Sequence, residues 1–144
     1  MAETGYNWSA WGFVQLSAGD WDGDASADDA IQTSDAISLD GKAACIIGVT
    51  VDEPDNDAVT ANSVTIAVLG DAGDAYENVL ALAAAGLGNP LQFAVTPVQN
   101  LDVFVLFSID PRDYDDCKIC IMNESGANLV LTVQIKTATV PVAS

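Results

Sequence analysis

The side chains best equipped for chemistry in this sequence are carboxylates and thiols, and their spacing can be tested against known site requirements. Asp20, Asp22, Asp24, Asp28 and Asp29 crowd one ten-residue stretch around Trp21. Hard cations take several oxygen ligands, and Asp at alternate positions of a bent loop can converge on one ion. Set against a calcium loop starting at Asp20, positions 1, 3, 5 and 9 hold Asp. Position 6, where a sharp turn calls for Gly, is Ala25, and position 12, where a bidentate Glu belongs, is Ile31. The stretch therefore reads as a solvated acidic loop, with no metal expected.

Asp110, Asp113, Asp115 and Asp116 lie beside Arg112 and Tyr114. Such a group could hold a proton by mutual repulsion and act as a general acid. Cys117 and Cys120 form a C-x-x-C spacing, and Cys45 is the third cysteine. Zinc wants four Cys or His ligands, and the chain has three Cys and no His. The segment from Cys117 to Met122 reads as a strand, where residues three apart face opposite ways. Buried free thiols are the expectation. No nucleophile-elbow, zincin, Walker or dinucleotide motif occurs, so the chain is expected not to be an enzyme and to need no cofactor.

These groups sit in a chain of 144 residues with 4 Lys and Arg against 21 Asp and Glu, a net charge of −17. Half the residues are hydrophobic, which argues against disorder despite the charge. The only cations are Lys42, Arg112, Lys118 and Lys136. Neither nucleic acid nor an anionic membrane is an expected partner. Abundant Asp with scarce Lys also hints at a saline habitat. No basic region followed by an apolar run opens the sequence, so no signal peptide is expected, and the sequons at Asn7 and Asn123 are discounted.

The elements that must position these residues are strands. Apolar residues alternate at Cys45–Val51, Val64–Val68, Leu91–Val95, Val103–Ile109, Ile119–Ile121 and Leu129–Ile135, the signature of half-buried strands. Phe104 and Leu106 fill the second face of the fourth run, which predicts a central strand buried on both sides. Asp40-Gly41 reads as a hairpin turn, and Asn123 to Gly126 joins the last two long strands. Asp74 to Gly86 reads as one short helix. The whole predicts an all-β fold, an antiparallel β-sandwich or jelly roll of about eight strands, as a single domain over residues 1–144.

Two stretches fall outside that core. Residues 1–34 carry Tyr6, Trp8, Trp11, Phe13 and Trp21, half of the ten aromatics, followed by the acidic loop. Tyr and Trp are enriched where one subunit buries surface on another, so these five are candidate interface residues. The other reading is a first strand that packs its rings into its own core. The tail, residues 137–144, contains Pro141 and reads as an extended arm, with Val140, Pro141 and Val142 as further contact candidates.

Three segments resemble small virion-associated proteins of tailed phages, of the decoration or capsid-cement kind. They are Tyr6-Asn7-Trp8-Ser9-Ala10-Trp11, the run Val64–Leu69 leading to Asp74-Ala75-Tyr76, and Ile121-Met122-Asn123-Glu124-Ser125-Gly126. The resemblance implies a β-sandwich that binds the major capsid protein and neighbouring copies of itself. A homo-oligomer would then lock shell subunits together in a virion assembled in the host cytoplasm. It supplies no catalytic residues. The alternatives are a carbohydrate-binding module, with Trp8, Trp11 or Trp21 as stacking platforms and calcium in the acidic loop, or a neck or tail component.

Overall fold

Short runs of β-branched and aromatic residues, broken by Gly, Asp and Asn, leave the chain with little choice but extended segments. The computed structural model describes residues 5–54, 63–71, 76 and 92–141. Among these residues every regular element is a strand. In chain order they are β1 (Asn7–Trp8), β2 (Gly12–Phe13), β3 (Gln15–Leu16), β4 (Gly19–Asp20), β5 (Asp24–Ser26), β6 (Ile31–Thr33) and β7 (Ile37–Ser38). The longer ones follow: β8 (Ala44–Asp52), β9 (Ser63–Gly70), β10 (Gln92–Val95), β11 (Asp102–Ile109), β12 (Asp116–Glu124) and β13 (Leu129–Thr139). The expected helix from Asp74 to Gly86 lies outside the described residues, apart from Tyr76, which bridges to Asp71.

The fold is an all-β antiparallel sandwich. Its first sheet runs β1-β13-β8-β11, with β2 and β5 also paired to β13. The second runs β10-β9-β12-β6, with β7 also on β12, and β3 and β4 form a small hairpin of their own. Strand number exceeds the expected eight because seven of the thirteen span only two or three residues, too short to show a period. β13 alone takes three of these fragments along one edge, with Ser26 opposite Leu129, Phe13 opposite Gln134 and Trp8 opposite Ala138.

The inward faces of both sheets form one core. Ile47, Val49 and Val51 of β8 and Leu129, Leu131 and Val133 of β13 meet Val64, Ile66 and Val68 of β9 and Ile119 and Ile121 of β12. All are essentially removed from water. Burial of side chains of this size stabilises by about 1.5–3 kcal/mol each, and neighbouring strands supply their ladder partners.

Two turns carry the chain between sheets: the one at Asp40-Gly41, expected to close a hairpin, and the one at Asn123–Gly126, which joins the last two long strands as expected. Gly41, in the left-handed region at φ 73, leads from β7 of the second sheet to β8 of the first. The turn after Asn123 leads from β12 to β13 and is knotted by that side chain. Asn123 Nδ2 donates to the carbonyls of Ser26, Ala27 and Ala127, while its Oδ1 accepts from the Ser125 backbone and hydroxyl. A fully buried amide thus satisfies five groups at the place where the chain changes sheets. Its burial also leaves no room for a glycan on the Asn123 sequon.

The outward faces of the sheets differ. On the second, Ala67, Leu69, Cys120 and Met122 form another buried apolar cluster, with Tyr76 against it. On the first, large apolar side chains stand in water.

Candidate protein interface

The outer face of the first sheet is built from every second residue of β13, β8 and β11, because side chains alternate across a strand. The register sets these residues in rows across the sheet. Val130, Asp52 and Asp102 form the first row, and Thr132, Thr50 and Phe104 the second. Phe13, Gln134, Gly48 and Leu106 form the third, then Lys136, Ile46 and Ser108, and last Trp8, Ala138 and Ala44. The two middle rows hold no charged side chain in a molecule of net charge −17.

Four large side chains on or beside this face are strongly exposed. Phe104 and Leu106 are each 55% accessible, Trp8 is 42% and Trp11 is 41%. Phe104 and Leu106 both lie against Gly48, where a Cβ would approach Phe104 Cζ to 3.1 Å and Leu106 Cδ2 to 3.4 Å. Gly48 is therefore the seat on which the two apolar side chains rest. This corrects the expectation of a doubly buried central strand: β11 is the terminal strand of its sheet's path. Its inward Val103, Val105 and Phe107 pack on the core while Phe104 and Leu106 face out.

At the other corner, Lys136 Nζ sits 4.9 Å from the centre of the Trp8 ring and 5.1 Å from that of Trp11. An exposed cation over an aromatic face is worth about 0.5–1 kcal/mol. Tyr6 meets Trp8 edge-on with centroids 6.2 Å apart. The two rings line a groove of about 660 Å³ with Lys42, Ile46, Asp110 and Arg112. Three of the chain's four cations, Lys42, Arg112 and Lys136, thus gather around Trp8.

The N-terminal aromatics divide between the two readings. Residues 7–13 are not a detached arm but edge fragments bonded to β13, with Ser9 N donating to Thr137 O and Thr137 N to Ser9 Oγ. Tyr6, Trp8 and Trp11 keep exposed rings, and Phe13 is half-buried on the outer face. Trp21 is the exception. Its backbone is bonded to Val14 and Val133, and its side chain is wholly buried in the core, so it offers no surface to a partner or a sugar. At the C-terminus, Thr137–Thr139 belong to β13 rather than to an arm. Val140 is exposed, Pro141 half-buried, and Val142 lies outside the described residues.

The other candidate groups do not assemble. Among the described residues no three Cys, Asp or Glu side chains group as metal ligands. Within the acidic loop, Asp20 accepts from Gln15 Nε2 and Asp28 from the Gly126 backbone, while Asp29 takes a left-handed conformation. In the second acidic loop, Arg112 donates to both Asp110 oxygens, at 2.7 Å from Nη2 to Oδ2. Those hydrogen bonds hold the Asp110 carboxyl below its usual range, the reverse of the upward shift a general acid needs. Cys117 faces the main core and Cys120 the second cluster, as the strand period requires, and Cys45 also lies in the main core. Burial pushes the Cys45 thiol up to about 11 and that of Cys117 up to about 12. Neither is a reactive thiolate at neutral pH.

No protein-family model and no curated protein matches the chain. Its function has to be read from this surface.

Proposed function

We propose that the chain is a structural virion protein of a tailed phage, decorating or cementing the capsid shell by docking on neighbouring capsid subunits. The observation that carries this reading is the corner where Tyr6, Trp8 and Trp11 stand exposed beside Lys136, on fragments bonded to β13. Rigid aromatic anchors with a nearby cation are what docking energy concentrates on. They occur here on the part of an acidic molecule that gathers most of its cations. The resemblance of residues 6–11, 64–76 and 121–126 to decoration proteins supports the same assignment. Low-affinity docking is sufficient on a shell, because a repeating lattice multiplies weak contacts.

Co-sedimentation with shells of the phage that encodes the chain tests it. The wild-type protein should pellet with shells, and Trp8→Ala with Trp11→Ala should leave it in the supernatant while remaining folded. Equal pelleting of the two proteins would refute the docking corner.

The exposed tryptophans also favour a second reading, a carbohydrate-binding module. Sugars stack on ring faces, and Lys136 already covers one face of Trp8 and one of Trp11, which weighs toward protein docking. A shift of tryptophan emission with a glycan panel, without particle binding, would reverse that order.

A further inference from the structure

The two edges of the first sheet differ. On one side β13 is covered by β1, β2 and β5. On the other, among the described residues, β11 pairs with β8 alone. Its eight residues run against β8 without a bulge, and from Val103 to Ile109 they include no charge and no Pro. The usual guards of an edge, a Lys, a Pro or a bulge, are therefore missing, and such an edge is a template for another strand. Water reaches both of its sides. Phe104 and Leu106 are exposed outward, and Val103 and Val105 are only half-buried inward, whereas Val51 and Val49 opposite them on β8 are wholly buried.

We propose that this edge is occupied by β11 of a second copy, added antiparallel so that the two first sheets run on into one. The axis is a two-fold perpendicular to the sheet, which keeps both outer faces on the same side. Paired residues share a face, so the axis must pass beside a residue, and the register selects which one. Centred on Phe104, the pairing sets Asp102 against Leu106. Centred on Leu106, it sets Asp102 against Asp110, which Arg112 already holds. Centred on Val105, Phe104 meets Leu106 twice, and each Asp102 lies opposite the exposed Ser108 of the other copy. Ser108 lines the same groove as Lys42. Among the described residues neither Asp102 nor Lys42 has a hydrogen bond or ion pair to its side chain, and Asp102 lies across the ladder from Asp52. This register thus brings each free carboxylate to the mouth of the groove that holds the free ammonium. In a chain of net charge −17, the uncharged run between those ends lets two copies meet without stacking carboxylates. The stack of Lys136 on Trp8 and Trp11 takes no part and lies toward the β1 end of the sheet, so that corner stays open for docking. The dimer does not rest on the shell reading: it forms without particles, and a monomer that still pellets with shells would leave that reading intact.

Sedimentation equilibrium of the full chain is the test. Wild type should show a species of twice 14.9 kDa. It should form in the upper micromolar range, because one strand pair buries less than the roughly 1,200 Å² of a standard interface. Ser108→Asp sets a carboxylate against Asp102 at both symmetric positions and should weaken the dimer by about tenfold or more. Ser108→Lys sets an ammonium there and should strengthen it severalfold. Both changes fall on an exposed position, so the variants should keep the β-sheet dichroism of the wild type. Lys118→Asp, which lies beside Tyr76 on the other sheet, should leave the dimer unchanged. The register is read by cross-linking. Asp102→Cys combined with Ser108→Cys should be joined between copies by a short bismaleimide, since paired strands lie about 4.8 Å apart. Either Cys variant alone should stay uncoupled, its two thiols being about 20 Å apart along the strands. A chain that stays monomeric at every concentration, a dimer that ignores both Ser108 variants, or single-Cys variants that couple as well as the double one would each overturn the proposal.

Discussion

Phe104 on β11 rests its ring edge on Gly48 of β8, which has no Cβ to hold it off: one added there would lie 3.1 Å from Phe104 Cζ and 3.2 Å from Cε2. The contact is made on the solvent side of the sheet, by a ring that stands outside the sandwich core. A Gly at the centre of a nine-residue strand costs stability through backbone entropy. Its presence makes sense as a seat that lets the edge of the exposed ring come close to the strand.

Replacing that seat separates surface from core. Gly48→Val adds a residue that favours strands and displaces Phe104 and Leu106 outward. Thermal unfolding should change by less than about 1 kcal/mol, since propensity gain offsets crowding. Pelleting with shells should match the wild type in the same sample, because the Trp8 and Trp11 corner is untouched. A loss of more than about 2 kcal/mol would show that the packing of Phe104 and Leu106 on Gly48 belongs to the fold rather than to the surface.

The knot at Asn123 predicts the opposite balance. Asn123→Ala strips the donor from three backbone carbonyls and the acceptor from Ser125. Buried polar groups left without partners cost about 1–3 kcal/mol each before relaxation or water entry. Urea unfolding should show a loss of about 3 kcal/mol or more, with surface binding by the remaining folded protein unaltered.

The thiols give a pH dependence with a definite sign. Burial raises Cys45 and Cys117 above the ordinary thiol value, to about 11 and about 12. The folded state therefore binds those protons more tightly than the unfolded chain. The stability linked to them is complete below the unfolded thiol value near 9. It is lost as pH rises from there through the folded values. Denaturation midpoints measured from about pH 8 to about pH 11 should fall as pH rises. Cys45→Ala with Cys117→Ala should flatten the slope. In the native protein at neutral pH, a thiol reagent should label none of the three cysteines until denaturant is added.

The Trp8–Lys136–Trp11 stack predicts a spectroscopic separation. Trp21 is buried, whereas Trp8 and Trp11 are exposed. Lys136→Met should change the emission of the exposed pair and leave the blue-shifted Trp21 component. The stability cost should be no more than about 1 kcal/mol. Loss of the Trp21 component would mean that Lys136 holds the fold rather than the surface.

Much of the architecture is written in period two. The alternation at Cys45–Val51, Val64–Val68, Val103–Ile109 and Leu129–Ile135 corresponds to β8, β9, β11 and β13, because one-sided burial forces that pattern. The same rule put Cys117 and Cys120 on opposite faces. Sheet membership was not legible. Asp40-Gly41 has hairpin chemistry, yet the partner of a strand is chosen by the far side of the core rather than by the turn. The outer face of β11 differs from expectation for a related reason. Phe104 and Leu106 look like a second buried face, since hydrophobicity alone does not distinguish a sheet interior from an exposed edge-strand face. Trp21 failed in the other direction: amid five aspartates it looks exposed, but only the pairing of its backbone with Val14 and Val133 puts it in the core. Lys136 carried no sequence signal at all, because its meaning comes from Trp8 and Trp11 lying more than a hundred residues away.

The central claim, a shell-docking structural protein, is tested most directly by counting the chain on purified particles of its own phage by quantitative mass spectrometry. The account predicts hundreds of copies per particle, lost when Trp8 and Trp11 are both replaced by Ala. Absence from particles, or a dozen copies or fewer at the neck or tail, would contradict it.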